Sequence, residues 1–157
     1  MIHLCYEYKT DAQCSTPGSI LRYHRTFKGL TTRQLAEQVG IVPATLILYE
    51  NDKNPIKYDT AVALAERLNI DRSCLLDEYT RFIDYPCGEL LRNMRKQFSF
   101  TQDEISSEIG VSQTAYSGWE RGIKKPRRQE YEKILVAIKK HGIDVTELFK
   151  KPEALHI

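Results

Sequence analysis

The residues of this 157-residue chain that are best suited to binding chemistry form a short basic run. Between positions 121 and 128 there are five basic side chains and no acidic one, namely Arg121, Lys124, Lys125, Arg127 and Arg128. The net charge of the whole chain is only +2, so the local cluster indicates more about partners than the total does. Because salt screens charges beyond about 10 Å, the cluster acts mainly on anionic groups that touch it. Phosphates are the anions that clustered Lys and Arg bind on nucleic acids.

The four cysteines and four histidines offer neither a metal site nor a catalytic site. The cysteines form no CxxC pair and have no clustered histidines, whereas zinc needs closely spaced ligands that converge on one point. No histidine shares a pattern with a nucleophile or an organised carboxylate. We therefore predict no metal, no cofactor and no enzymatic activity. We interpret all four cysteines as free thiols of a reducing compartment. They are Cys5, Cys14, Cys74 and Cys87. No apolar run approaches the roughly 18 residues of a membrane span, which predicts a cytoplasmic protein without a membrane partner.

The basic run belongs to the second of two similar segments. When the sequence is shifted by 70 residues it aligns with itself at Arg22/Arg92, Arg25/Arg95, Thr31/Thr101, Gly40/Gly110, Tyr49/Trp119 and Glu50/Glu120. One inserted residue then brings Pro55 onto Pro126. A repeat of this length predicts two copies of one small domain.

The elements that must position these residues are helices, because apolar residues recur with helical spacing in both copies. Thr31 and Thr101 each begin a capping box, and Gly40 and Gly110 end the same helices. A third short helix follows, capped in the second copy by Ser112. Further helices are predicted to close the copies at 58–68, 72–76, 129–140 and 146–149. The prediction is an all-α fold of two five-helix bundles.

The predicted domain limits follow from this repeat. They are an N-terminal arm at 1–17, a first domain at 18–80, a linker at 81–87, a second domain at 88–151 and a tail at 152–157. In the arm, apolar and polar residues alternate with the period of a strand. An isolated strand is unstable, so this one would have to pack on a domain or pair with a partner.

The second copy resembles the Cro/C1-type helix-turn-helix domains of phage repressors, the XRE family. The resemblance rests on the pattern Arg92, Arg95, Thr101, Gln102, Ile105, Gly110, Val111, Ser112, Gln113, Tyr116, Trp119 and Glu120. With the repeat, it covers about residues 18–76 and 88–149. It implies compact five-helix domains whose third helix enters the major groove of double-stranded DNA.

The resemblance also implies roles for individual residues. Tyr116 and Trp119 are expected to face the core, while the third helix turns a polar stripe outward at Gln113, Thr114, Ser117 and Gly118. These residues and the N-cap Ser112 are expected to contact DNA. Gln suits the N6/N7 edge of adenine, Thr suits a base edge or a thymine methyl, and Gly allows close approach. The family position of Gln102 binds a phosphate at a helix N-terminus, and the basic run is expected to follow the phosphates. A family salt bridge is expected, with a structural role, in the pairs Arg25–Glu50 and Arg95–Glu120.

The first copy departs from the family in its third helix, where only Thr45 offers a side-chain hydrogen bond. Thr32 replaces the glutamine of helix two, and the loop 51–54 carries an acid instead of the basic cluster. Ile47 and Leu48 could contact thymine methyls, or they could form a protein–protein surface.

The sequence therefore predicts a transcriptional regulator, a repressor that acts by operator binding. Two arrangements remain open: a homodimer that reads a palindrome with two second domains, or a monomer with both domains on adjacent grooves. The alternative function is a protein-interaction module, such as an antitoxin or inhibitor, with a protein partner on the first domain. The basic cluster favours DNA, since an interaction module has no need of it.

Overall fold

The computed structural model of the chain describes residues 15–143. The predicted N-terminal strand, the closing helix at 146–149 and the tail at 152–157 lie outside the described residues. The chain divides into two compact units, with the boundary between Arg81 and Phe82.

The first unit contains four α-helices and a short 3-10 helix. They are α1 Pro17–Phe27, α2 Thr32–Val39, α3 Pro43–Glu50, α4 Tyr58–Leu68 and the 3-10 helix Arg72–Leu75. Helix α2 begins and ends as its sequence predicts: Thr31 forms a capping box with Gln34, and Gly40 adopts the left-handed conformation at φ 73°. This end needs glycine because left-handed backbone is strained for residues with a Cβ.

The second unit repeats this order. Its described helices are α6 Cys87–Gln97, α7 Gln102–Ile109, α8 Gln113–Glu120 and α9 Arg128–Lys140, preceded by α5 Glu78–Asp84 across the boundary. Thr101 and Glu104 form the capping box of α7, and Gly110 ends it at φ 76°. From residue 15 to residue 143 every regular element is helical, so the all-α prediction is confirmed.

The segment predicted as a linker, 81–87, is largely helical, since α5 extends to Asp84 and α6 begins at Cys87. Two reciprocal hydrogen bonds start α5. Asp77 Oδ1 accepts from the Thr80 backbone N–H, and Thr80 Oγ1 accepts from the Asp77 N–H, both at 2.8 Å. Phe82 is buried as well. The Asp-x-x-Thr capping motif starts a helix here, although the apolar pattern of so short a segment predicts one only weakly.

Each unit has its own core, and both cores use the same register. Leu21, Leu35, Leu46 and Leu64 are fully buried in the first unit. In the second unit the corresponding side chains are Leu91, Ile105, Tyr116 and Ile134, which are also buried. Burial of one such side chain contributes about 1.5–3 kcal/mol. The cores therefore fix which face of α3 and of α8 turns inward.

Matching glycines set how closely the first helix of each unit approaches the third. A Cβ on Gly18 would lie 2.3 Å from Tyr49 O, and a Cβ on Gly88 would lie 2.4 Å from Trp119 O. No side chain fits either position. The C-terminal end of the third helix therefore rests directly on the start of the first helix in both units.

The cysteines differ from the interpretation as four free thiols. Cys74 is disulfide-bonded, whereas Cys87 is a free and buried thiol. Spacing in the sequence does not show which thiols come close in space, and disulfide formation depends on that distance. None of the helices between residues 15 and 143 has the length and apolarity needed to cross a membrane.

Candidate nucleic-acid interface

Helix α8 is held in the second unit by two buried aromatic side chains. Ser112 Oγ accepts a hydrogen bond from the Ala115 N–H at 3.2 Å and so caps the helix. Tyr116 and Trp119 are buried and meet edge to face with their ring centroids 6.0 Å apart. The Tyr116 hydroxyl donates to Leu91 O at 3.0 Å. Burial raises the pKa of Tyr116, so the hydroxyl keeps the proton that this bond requires.

The opposite stripe of α8 carries the polar side chains. Ser112, Gln113 and Thr114 are exposed, and Ser117 is half-buried. Two hydroxyls and one amide therefore face solvent at the start of a helix whose other side is fixed. These are the groups that the sequence predicts to read base edges.

Gly118 differs from its predicted outward position, because the residue is buried. The following loop folds back over it, and its carbonyl accepts from the N–H groups of Ile123 at 3.0 Å and Lys124 at 3.3 Å. A Cβ built on Gly118 would nevertheless meet no heavy atom within 4 Å. The backbone is covered, but the direction in which a side chain would extend is open.

A buried carboxylate ends α8. The Glu120 side chain is 1% exposed and accepts from Arg95 Nε at 2.6 Å and Arg95 Nη2 at 3.1 Å. Burial by itself raises the pKa of Glu120. Hydrogen bonds from Arg95 and Gln102 and the positive charges of Arg95 and Arg92 outweigh that effect and hold the pKa below its usual range. The Arg95–Glu120 pair is thus an ionised structural link between α6 and α8.

Gln102, the predicted phosphate ligand at the start of α7, belongs to the same network. Its Nε2 donates to Glu120 Oε2 at 2.8 Å, a contact that the sequence analysis missed. An amide nitrogen carries two N–H donors, and this bond uses one of them. The buried carboxylate therefore fixes the position of Gln102 without exhausting its hydrogen-bonding capacity.

The basic loop between α8 and α9 presents its cations unequally. Arg121, Lys124, Lys125 and Arg127 are exposed, and Arg128 is half-buried. The Nζ of Lys125 also reaches outside the loop, where it donates to Ile83 O at 2.6 Å. Gly122 turns the chain at φ 71°, directly after the end of α8. The loop thus brings several positive charges close to the C-terminal end of the exposed polar stripe.

Comparison with known families agrees with this geometry. A family described as Helix-turn-helix matches residues 91–145, and a family described as Helix-turn-helix domain matches residues 18–81. The chain belongs to the Cro/C1-type helix-turn-helix family. It carries two such domains in tandem, as the sequence predicts, and the family places it among DNA-binding regulators. No curated protein and no solved structure matches the chain.

The first helix-turn-helix domain keeps the inner half of this arrangement. Arg25 pairs with Glu50 and also donates from Nη1 to Leu30 O at 2.7 Å. Leu46 and Tyr49 are buried where the second domain buries Tyr116 and Trp119. The frame that positions a recognition helix is therefore present in both domains.

The outer half of the first helix-turn-helix domain is apolar. Val42 is 62% exposed, Ile47 45% and Leu48 40%. Thr45, the residue of α3 whose hydroxyl could bond a base edge, is half-buried. Helix α3 also lacks a side-chain hydrogen bond at its N-cap Val42. This face offers methyl groups where the second domain offers hydroxyl and amide groups.

The acid in the first domain's loop has a structural role that the sequence analysis missed. Asp52 accepts from the Gly18 N–H at 2.9 Å and from Thr16 Oγ1 at 2.5 Å, and so ties the loop to the start of α1. The repeat contains a sequence signal for the special conformation of Asp52. Asp52 aligns with Gly122, and both residues have left-handed backbone, a conformation that Asp adopts more readily than most residues do.

Proposed function

We propose that this protein is a sequence-specific DNA-binding repressor whose second domain reads the operator through α8. One observation carries the proposal. The polar stripe at Gln113 and Thr114 is exposed on a helix whose opposite stripe is buried, and a basic loop follows that helix directly. An exposed stripe alone would be an ordinary solvated surface. The stripe supplies groups that can read bases, and the loop directly after the helix supplies groups that can bind phosphates.

Each side chain of the stripe suits a defined contact. The amide of Gln113 can make a bidentate pair with adenine N6 and N7, and the hydroxyl of Thr114 suits a base edge while its methyl suits thymine. Lys124 and Arg127 lie beyond the end of the helix, where the phosphate backbone borders the groove. Open space at the Cβ of Gly118 permits the helix to approach DNA closely. Occupation of an operator in this way would block transcription.

A homodimer supports the specificity that one small domain lacks. Helix-turn-helix dimers bind half-sites about 34 Å apart, and the operator then has the two-fold symmetry of the protein. The exposed apolar side chains of α3, Val42, Ile47 and Leu48, suit contact with a protein better than contact with base edges. We place the contact between subunits on this surface, and two second domains read the two half-sites.

The same apolar surface supports the second candidate function, a protein-interaction module such as an antitoxin or inhibitor. In that case α3 binds an unrelated protein, and the second domain serves to hold the complex on DNA or has no DNA target. The exposed cations of the loop favour the repressor over this alternative.

Selection of bound sequences from a random DNA pool tests the proposal. We expect enrichment of one motif, and we expect Gln113→Ala and Thr114→Ala to relax base preference at single positions. A good base contact contributes about 1–3 kcal/mol of discrimination. Gln97→Ala is the matched control, because Gln97 is also an exposed glutamine but lies at the end of α6. A pool without enrichment would favour the interaction module.

A further inference from the structure

The charge of Lys125, in the basic loop, is engaged by a backbone carbonyl that lies outside the loop. Its Nζ donates to Ile83 O at 2.6 Å, and Ile83 lies one residue before the end of α5. Carbonyl groups at a helix C-terminus lack intrahelical partners and attract cations. The next residue of the loop, Pro126, is buried. We infer that Lys125 is a positioning residue that anchors the basic loop to α5 and is not itself a phosphate ligand; this inference rests on the proposed DNA binding.

Helix α5 is a suitable anchor because it is itself fixed. Phe82 and Ile83 are buried, and the Phe82 ring packs against Tyr131 with centroids 4.8 Å apart. Tyr131 belongs to α9, the helix that begins directly after the loop. The side chains of Asp77 and Thr80 cap the other end of α5. The carbonyl that receives Lys125 therefore belongs to a supported helix.

The first domain anchors its corresponding loop in a related way with opposite charge. There the carboxylate of Asp52 accepts from Gly18 N and Thr16 Oγ1. In the first domain the N-cap and first turn of α1 hold the loop that follows α3, and in the second domain the helix that precedes α6 holds the loop that follows α8. The two loops have the same turn pattern at a constant shift of 70 residues, without the inserted residue that the sequence suggests, so Pro55 lies opposite Lys125 and the first domain has no ammonium group at this point. The lysine anchor belongs to the second domain, as does the basic cluster.

The anchor determines where the exposed cations stand. At the start of the loop, the N–H groups of Ile123 and Lys124 donate to Gly118 O, which attaches the loop to α8. Lys125 attaches the next residue to α5. The exposed side chains of Lys124 and Arg127 flank this attachment. Fixing them before DNA arrives reduces the entropy lost when phosphates bind.

A comparison of Lys125→Met with Lys124→Met tests the inference, because the two variants lose the same charge at adjacent positions. Affinity for one selected operator is measured between about 50 and 200 mM salt, far below the melting temperature of either variant. We expect Lys124→Met to reduce the slope of log affinity against log salt by about 0.9, with an unchanged melting temperature. We expect Lys125→Met to leave the slope unchanged, to weaken binding about fivefold and to lower the melting temperature, since it loses one charge-assisted hydrogen bond.

The opposite pattern for Lys125→Met would overturn the inference: a slope reduced as in Lys124→Met with an unchanged melting temperature identifies a phosphate ligand. Lys125→Gln, which keeps an amide donor, provides the same comparison if Lys125→Met does not fold. In the unaltered protein, NMR of the lysine ammonium groups should show the Lys124 signal shifting on DNA binding and the Lys125 signal remaining in place. If the protein binds no DNA, the proposed function fails, and the difference in melting temperature still decides whether the anchor exists.

Discussion

Glycine occupies two positions in helices of the second domain for opposite reasons. At Gly88 a Cβ would lie 2.4 Å from Trp119 O, inside the protein, whereas at Gly118 it would meet nothing within 4 Å. Glycine within a helix is less favourable than alanine by about 1 kcal/mol. Packing explains Gly88. Nothing within the domain explains Gly118, and the proposed close approach of DNA supplies a reason for it.

Gly118→Ala should therefore stabilise the second domain and weaken DNA binding at the same time. We expect a gain of about 0.5–1 kcal/mol in the free energy of unfolding, measured by urea denaturation, with a loss of operator affinity. Gly88→Ala is the matched control and should destabilise the domain, because backbone atoms must move. Unchanged affinity in a stabilised Gly118→Ala variant would show that DNA does not approach this position.

Glu120 makes the second domain sensitive to acid. Its pKa is lowered in the folded state, so ionisation contributes stability that is complete above the ordinary carboxyl pKa of about 4.3 and is lost as the pH falls through the folded pKa. Glu120→Gln should lower the free energy of unfolding at neutral pH by about 3 kcal/mol, since Arg95 loses its charged partner. It should also flatten the dependence on pH below that value, as measured by thermal melts across a pH series.

The control for Glu120→Gln is Glu37→Gln. Glu37 pairs with Arg33 at 3.0 Å, but their side chains are 62% and 81% exposed. Exposed pairs contribute about 0.2–1 kcal/mol, so this variant should melt almost as the unaltered protein does. Equal effects of the two substitutions would contradict a structural role for the buried carboxylate.

At the scale of helices, the two third helices start differently. Ser112 caps α8 through its hydroxyl, whereas Val42 begins α3 without a side-chain hydrogen bond and with Pro43 in the first turn. Proline at this position sacrifices no hydrogen bond, but Val42 offers the N–H groups of the first turn no side-chain acceptor. Helix α3 thus depends more on its buried residues than α8 does.

Reciprocal substitutions should reveal this difference. We expect Ser112→Ala to destabilise the second domain by about 1 kcal/mol and Val42→Ser to stabilise the first domain by a similar amount. Val42 is well exposed, so its replacement loses little burial. Denaturation curves of each variant measure both effects. A Val42→Ser variant less stable than the unaltered protein would show that Val42 packs against something.

The sequence predicts the helices better than it predicts the contacts between them. Helix α4 spans Tyr58–Leu68 as expected, because apolar periodicity is a local property. The contacts of Lys125 with Ile83 and of Gln102 with Glu120 join residues 42 and 18 positions apart, and no local pattern encodes such pairs. The close contact of Gly18 with α3 could have been predicted, since Gly18 aligns with Gly88 in the repeat.

At the scale of the whole chain, the two domains share a frame and differ in what they expose. The inner residues of α3 and α8 correspond, yet α3 exposes aliphatic side chains and α8 exposes polar ones. Separate surfaces for self-association and for DNA reading would let one chain do both. The proposed homodimer follows from this division.

Sedimentation tests the dimer directly. We expect the unaltered protein to sediment as a dimer and an Ile47→Asp/Leu48→Lys variant to sediment as a monomer with reduced operator affinity, because charges on the α3 surface oppose apolar contact. Val136→Asp is the control, since Val136 is an exposed aliphatic residue of α9. An unaltered protein that is a monomer on a non-palindromic site would exclude the dimer.

The common frame of α3 and α8 also makes the reading face transferable. Gln113, Thr114, Ser117 and Gly118 align with Pro43, Ala44, Ile47 and Leu48, and none of the side chains that would be replaced in α3 belongs to the buried core. The four proposed reading positions can therefore be exchanged without replacing a buried side chain. An engineer could move them into α3, with Val42→Ser as its cap, and keep the Arg25–Glu50 pair and the Gly18 contact intact. We expect this variant to carry the proposed reading side chains twice on one chain, and exchange of the same four residues should then change which DNA sequence it prefers.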